Sequence, residues 1–488
     1  LKGSFDDFQN PYYSSRGDGI GPEIMDATLK ILEAAGAQLE IQEIVIGKEI
    51  YESGQSQNGI TEDSWQSLRD TKIFLKAPIT TPQGGGFKSL NVTIRKTLGL
   101  YSNVRPCVSY APFVETTHPD MDLVIIRENE EDLYGGIEYR QSQDVMASLK
   151  LISRPGTERI VRYAFEYACA NGRKHVTCMT KDNIMKISDG LFHRIFDEIG
   201  EEYPDIKQDH MIIDIGTAKV ASNPGMFDVI VLPNLYGDIV SDVAAEVTGS
   251  VGLGGSSNVG EDFAMFEAVH GSAPDIAGQG LANPSGLLLG AVMMLVHIGQ
   301  GDVAAKIHNA WLKTIEDGIH TGEIYNPSLS SAKVGTDDFR DAVIERLGQT
   351  PSTLDVIDYS GVPAGGMKLP PVRPRIEQKQ ERVGVDIGLN WDGSPDDLAA
   401  KVLPCITDNL ELSMISNRGT KVWPDGKPET FCVDNWRLRF LSKDEKPILT
   451  SQVIALMDRM NQADLNFTKS VMLNTFDGEN GFTVAQGD

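Results

Sequence analysis

Basic residues are scarce relative to acidic ones. The 488-residue chain carries 44 Lys and Arg against 69 Asp and Glu, a formal net charge of −25. No global excess of cation is available to neutralise nucleic-acid phosphates or an anionic membrane surface, so neither is an expected partner. A local basic pocket remains compatible with that total. Cysteine is also rare: Cys107, Cys169, Cys178, Cys405 and Cys432 are odd in number and include no Cys-x-x-Cys pair. Neither a disulfide framework nor a thiolate zinc site is indicated, and a reducing compartment is the natural setting. Long apolar runs are missing, since the longest, Leu287 to Val296 interrupted by Gly290, has about half the length of a transmembrane helix. The opening Leu-Lys-Gly-Ser-Phe-Asp-Asp lacks the apolar stretch of a secretory signal. No Gly-x-Gly-x-x-Gly fingerprint occurs, which leaves a standard Rossmann dinucleotide site unsupported.

What is present is an ordinary globular composition, 41% hydrophobic and 23% charged, in a chain long enough for more than one domain. From Asp18 to about Gly348, short β-rich apolar runs alternate with segments of helical period, the pattern of βα units on a parallel or mixed sheet. Asp122–Arg127, His175–Thr180 and Phe227–Leu232 read as buried strands. Pro22 opens a helix with Ile24, Ala27, Thr28, Ile31, Leu32 and Ala35 on one face, and Thr157–Ala170 reads as a second. Pro351, Pro363, Pro370, Pro371 and Pro374 mark a linker or surface strap. Residues 383–488 then alternate strand-like and helical patterns, enough for a separate small α/β domain.

The chemistry-bearing stretches are short. In Asn234-Leu-Tyr-Gly-Asp238-Ile-Val-Ser-Asp242, a helix starting near Gly237 puts both carboxylates on one face of its first turn. That pair suits Mg²⁺ or Mn²⁺, or else is a helix cap with a solvated Asp. Arg95, Arg105 and Arg127 arrive at loop or element ends, where guanidinium forks clamp carboxylates or make unrelated surface ion pairs. The Gly17-Asp-Gly19-Ile-Gly21 and His270-Gly-Ser-Ala-Pro-Asp275 segments read, each alone, as turns.

Taken in order, five segments resemble the isocitrate and isopropylmalate dehydrogenase family of metal-dependent β-decarboxylating dehydrogenases. They are Gly17–Ile24, Arg127–Glu138, Lys181–Lys186, Asn234–Asp242 and Glu267–Pro274. Two stretches near the C-terminus, Met414–Val422 and Phe476–Asp488, resemble the extension of the longer isocitrate dehydrogenases. The resemblance implies an α/β fold with a two-lobed core and a mixed sheet, not a standard Rossmann fold, followed by a small C-terminal α/β domain. Residues 17–108 and 266–350 would form the large lobe and 109–265 the small lobe with a dimer-interface segment. Residues 351–382 would be a linker and 383–488 an oligomerisation or regulatory domain.

The resemblance also implies roles. Thr81, Ser89, Asn91, Arg95, Arg105, Arg127 and Asn183 would bind isocitrate, and Ser89 and Asn91 favour it over homoisocitrate or isopropylmalate. Asp238 and Asp242 would hold Mg²⁺ or Mn²⁺, with Asp214 completing the metal site from a second subunit. Lys181, from that same subunit, would join the proton-removing group, and Tyr134 would protonate the decarboxylated carbon. His270 and Asn283 would lie near the adenine. Asp275 and Ile276 stand where NADP enzymes carry a lysine and a tyrosine, so NAD is the expected cofactor. A homodimer or homotetramer in the cytoplasm, or alternatively the mitochondrial matrix, is expected. A silent regulatory subunit is disfavoured because the acid, base and metal ligands are all present. One departure concerns Tyr12–Arg16, too polar for the buried strand that should precede Gly17. Missing residues or a replaced strand are therefore expected there.

Overall fold

The structure, a computed structural model, describes residues 11–81, 89–407, 409–444 and 446–485. They divide into two compact units. One runs to Tyr134 and resumes from Leu151 to Val372; the other comprises Gly135–Lys150 and the chain from Arg373 onward. The segment 135–150, expected within the small lobe, thus belongs with the C-terminal residues.

Strands of the first unit are β1 (Pro11–Ser15), β2 (Glu40–Glu43), β3 (Ile73–Lys76), β4 (Ser102–Val108) and β5 (Asp122–Glu128). A hairpin of the second unit supplies β6 (Glu138–Arg140) and β7 (Met146–Ser148). The first unit continues with β8 (His175–Thr180), β9 (Lys207–Ile212), β10 (Val229–Leu232), β11 (Gly255–Val259) and β12 (Ala264–Ala268). Ten of these make one mixed sheet in the order β2-β1-β3-β12-β11-β4-β5-β10-β8-β9. Pairing is antiparallel at β12/β11, β11/β4 and β4/β5 and parallel elsewhere.

The strand before Gly17 corrects the sequence expectation. It forms at Pro11–Ser15 and pairs on both sides, Tyr13 lying opposite Gln42 and Phe74. Backbone pairing to two neighbours makes a strand; side-chain polarity only biases it.

Helices cover the sheet. Gly21–Ala35, Ser285–His297, Gly301–Glu316 and Thr336–Glu345 bury one apolar core with Ile24, Leu288, Trp311 and Phe339. Arg154–Ala170 and Ser188–Gly200 bury another with Phe165, Phe192 and Phe196 against β5, β8 and β10. Residues 351–372 contain no helix or strand; Leu354, Ile357 and Tyr359 of this stretch pack on the first core. The second unit centres on a six-stranded antiparallel sheet that includes Gln380–Asn390, Leu410–Asn417 and Asn435–Ser442. Its core packs the helices Pro395–Val402 and Thr450–Gln462. No helix among the described residues is long and apolar enough to cross a membrane.

Candidate active site

Where β3, β12, β4 and β5 end, charged side chains replace the apolar ones of the strand interiors. Lys76 closes β3 opposite Glu267 of β12, and Arg105 of β4 lies two residues from Asn103, which faces Arg127 of β5. A cavity of about 350 Å³ opens there, lined by Thr81, Ser89, Asn91, Arg95, Arg105, Arg127, Tyr134, Asp238 and His270 together with Lys76 and Glu267.

The ionic pairing is dense. Glu267 accepts from Lys76 Nζ and Arg95 Nη2, each at 2.7 Å. Burial alone would raise its pKa, but the two cations hold it far below the usual carboxylate range. Asn258 Nδ2 also donates to Glu267 (2.8 Å), while Asn258 Oδ1 accepts from Asn103 and Asn129, both at 3.0 Å. Asn103 Oδ1 accepts from Arg105 Nε at 2.6 Å, so buried amides connect the Glu267 cluster to the second set of charges. There Arg127, 1% exposed, donates to Asp238 (2.5 Å) and to Asn234 Oδ1 (2.8 Å). Burial first, and Arg105 second, bring its pKa down to about 10, so the guanidinium keeps its charge at neutral pH. Arg105 Nη1 reaches Ser241 Oγ at 2.5 Å and Asp238 at 3.3 Å. Arg95 Nε is buried without a partner among the described residues.

The helix carrying the acidic pair spans Asn234–Val247. It begins about a turn before the expected Gly237, so Asp238 is not a cap; it lies inside the helix, with Asp242 one turn on. Gly237 lets this helix press on Arg127, whose Cγ would sit 2.5 Å from a Cβ at that position. Tyr134, in the turn Leu133–Gly135, donates to Asp238 Oδ2 at 2.5 Å, and the Arg127 guanidinium lies 4.9 Å from its ring centroid. Burial raises the Tyr134 pKa, and Asp238 reinforces that against the opposing Arg127. For Asp238, burial is outweighed by Arg127 and Arg105, and its carboxyl lies below the usual range.

The other expected residues are placed differently. Thr81 and Ser89 stand at the cavity with hydroxyl oxygens 3.2 Å apart. Lys181 pairs with Asp214 at 2.9 Å, and both, like Asn183, lie outside the residues lining the cavity. Asp214 is exposed, its carboxyl held low by the Lys181 hydrogen bond. His270 is buried enough that its pKa falls, leaving a neutral ring that faces the Gly271 carbonyl (3.0 Å). The turn at Gly17 and Gly19 adopts positive φ, and a Cβ on Gly19 would lie 2.0 Å from the Ser272 carbonyl oxygen, so the two loops can touch only through glycine. Asn283 donates to Glu323 at 2.9 Å. Asp275 and Ile276 share one short turn, Pro274–Ile276; Asp275 is exposed, whereas Ile276 packs on the core. Lys76, Asn103, Asn129, Asn258 and Ser241 had no assigned role in the sequence reading. For Lys76 the available signal was a lysine ending the apolar run Ile73-Phe-Leu.

A model of the isocitrate/isopropylmalate dehydrogenase family matches residues 14–343, and one of the bacterial isocitrate dehydrogenase C-terminal domain matches 380–488. The chain belongs to this family. An isocitrate dehydrogenase [NADP] from Rickettsia bellii is 54% identical over 481 residues, covering 98% of this chain and 99% of its own. An isocitrate dehydrogenase [NADP] from Thermus thermophilus is 41% identical over 97% of this chain and 95% of its own. The crystal structure of the TT0538 protein from Thermus thermophilus superposes with a TM-score of 0.91 at 39% identity, covering 98% of this chain and 96% of that one. The fold is therefore the mixed-sheet family fold with the C-terminal domain of long isocitrate dehydrogenases, and the family supports isocitrate dehydrogenase activity.

The NAD expectation is overturned by these full-length relatives, which are named as NADP enzymes. The physical weakness lay in Asp275. An exposed carboxylate is screened by water and can turn away, so it does not by itself exclude a ribose phosphate.

Metal dependence is general to the family, and this chain's residues fit a divalent cation. Asp238 and Asp242 offer hard oxygens from successive helical turns. The Asp242 pKa is raised, by burial first, with the Asp238 charge adding to it against the opposing Arg105, whose Nη1 stands 3.8 Å away. Asp214 is not gathered with them in the single chain.

Proposed function

We propose that the protein catalyses metal-dependent oxidative decarboxylation of isocitrate to 2-oxoglutarate and CO₂ with NADP as hydride acceptor. The observation that carries this reading is the convergence of Arg95, Arg105 and Arg127 on one cavity beside an ionised Asp238, with Ser89 and Asn91 on its wall. Three guanidiniums suit a tricarboxylate, which they can grip bidentately. Ser89 and Asn91 then receive the γ-carboxylate, and Thr81 borders the same region.

Asp238 and Asp242 would hold a divalent ion, which would supply the charge that acidifies the substrate hydroxyl and stabilises negative charge arising on decarboxylation. The remaining steps belong to side chains. The Lys181–Asp214 group, with Asn183 beside it, would remove the hydroxyl proton, and the nicotinamide would supply the hydride acceptor for C2. Tyr134 keeps its proton at neutral pH because burial raises its pKa, and it delivers that proton to C3 once CO₂ has left. The Arg127 guanidinium over its ring steadies the phenolate that results. His270 and Asn283 border the cofactor. Because Lys181 and Asp214 lie outside the cavity of their own chain, we assign them to the neighbouring site of a homodimer or a dimer-based tetramer. The full-length bacterial relatives and the five free cysteines favour a cytoplasmic enzyme.

The test is an assay of the purified protein alone with isocitrate and Mn²⁺ or Mg²⁺, comparing NADP with NAD. Turnover with NADP is expected; no turnover with either overturns the activity, and preference for NAD overturns the cofactor assignment. Tyr134→Phe should lose decarboxylation more than reduction of supplied oxalosuccinate, and equal losses would remove its protonation role.

A further inference from the structure

Apart from the residues that line the cavity, three side chains from three elements meet: Asp182 just past β8, His193 on the helix Ser188–Gly200 and His210 on β9. Their ligating atoms all lie within 4.8 Å of one another. The imidazoles stack with centroids 3.6 Å apart and planes inclined by 16°. Asp182 presents one oxygen to each ring, Oδ2 at 2.7 Å from His193 Nδ1 and Oδ1 at 3.9 Å from His210 Nε2. The second nitrogen of His193 faces Asp197 at 3.6 Å, and Thr180 Oγ1 lies 2.8 Å from His210 Nε2. The side chains are 22% (Asp182), 26% (His193) and 15% (His210) exposed, so solutes can reach them. Burial, helped by the neighbouring His193, lowers the His210 pKa and keeps a lone pair available.

We propose that Asp182, His193 and His210 bind a borderline divalent transition-metal ion of the Zn²⁺ class, at a site separate from the carboxylates Asp238 and Asp242. Two imidazoles and one carboxylate form a donor set that favours Zn²⁺ over the hard ions Mg²⁺ and Mn²⁺. Ligands about 2.1 Å from a common tetrahedral ion lie about 3.4 Å apart, so binding draws the donors, now up to 4.8 Å apart, together by as much as roughly 1.4 Å and turns the stacked imidazoles until both lone pairs meet at the ion. Asp197 stands where an outer carboxylate orients a ligating imidazole, and the fourth position is left for water. The ion ties the ends of β8 and β9 to a helix. Lys181 directly precedes Asp182, and Asp214 follows His210 by four residues, so the frame being tied also carries the exposed Lys181–Asp214 pair.

The test uses untagged, metal-stripped, full-length protein in saturating Mg²⁺, dialysed against about 10 µM Zn²⁺, with bound zinc measured by mass spectrometry. About one zinc ion per chain is expected, unchanged by Asp242→Asn and weakened about tenfold or more by His193→Gln and by His210→Gln. Mn²⁺-supported turnover by those variants reports their folding. X-ray absorption at the zinc edge of the unaltered protein should show two imidazoles, which decides the matter even where a variant does not fold. No bound zinc, an all-oxygen shell, or loss of zinc with Asp242→Asn instead of the histidine substitutions overturns the proposal.

Discussion

Two lysine–carboxylate pairs of nearly equal length lie in the same unit. Lys76–Glu267 spans 2.7 Å with side chains 1% and 6% exposed, and Lys181–Asp214 spans 2.9 Å with 26% and 69% exposed. The bond lengths do not distinguish them; the surroundings do. Out of water, a charge must be matched by partners that stay in place, and Glu267 has three of them in Lys76, Arg95 and Asn258. At the surface, water serves either partner, so the pair contributes little and separates readily. The first pair therefore acts as scaffold for the cavity, and the second remains free to exchange partners, as the proton-removing role proposed for it requires.

The strongest way to break this contrast is to change a buried charge that lines the cavity. Arg127→Lys keeps the charge but loses the fork to Asn234 and Asp238. It should lower kcat/KM about 10³-fold, near 4 kcal/mol. Steady-state kinetics showing less than about a tenfold fall would mean that the fork is not what holds the substrate.

Next comes the scaffold itself. Glu267→Gln leaves Lys76 and Arg95 buried beside a neutral amide and should cost about 3–5 kcal/mol in denaturant unfolding. The acid dependence gives the same comparison a sign. Because the folded carboxyl is held far below its unfolded value, its stabilisation is present above about pH 4.5 and is lost as pH falls below it. The variant should therefore lose less stability than the parent between pH 5 and pH 3. Asp214→Asn, the surface counterpart, should leave the unfolding midpoint where it was.

Sharing of the exposed pair is tested by mixing. Arg127→Lys and Lys181→Met chains, each nearly inactive alone, should recover on subunit exchange about one-quarter of parental activity, since half of the dimers are mixed and each then holds one intact site. No recovery would place Lys181 in the site of its own chain.

These contrasts also show what the sequence could disclose. Arg95, Arg105, Arg127, Tyr134 and Asp238 sit in short local motifs, and the fold brings all five to one cavity. The Lys76–Glu267 pair depends on β3 lying beside β12, a pairing between segments almost two hundred residues apart that no local pattern announces. The same holds for the Asp182, His193 and His210 cluster, assembled from a strand end, a helix and a second strand. The start of the helix at Asn234 was hidden because Gly237 looked like a beginning, whereas its missing side chain serves the close approach to Arg127. Asp275 was overvalued for the opposite reason, since sequence gives a residue's charge but not its exposure.

Asp275 supplies the smallest expected effect. As an exposed carboxylate whose own backbone carbonyl accepts from Gln279 Nε2 at 2.8 Å, it acts on a nearby phosphate only through screened water. At an ionic strength near 0.15 M that interaction fades within about 8 Å. Asp275→Asn should therefore change KM for NADP by less than about threefold, with kcat unchanged. At low salt the difference should widen as screening weakens. A change of tenfold or more in KM, insensitive to salt, would mean that Asp275 is buried against the cofactor once it binds, placing it with Glu267 on the side of the comparison where a carboxylate's charge counts in full.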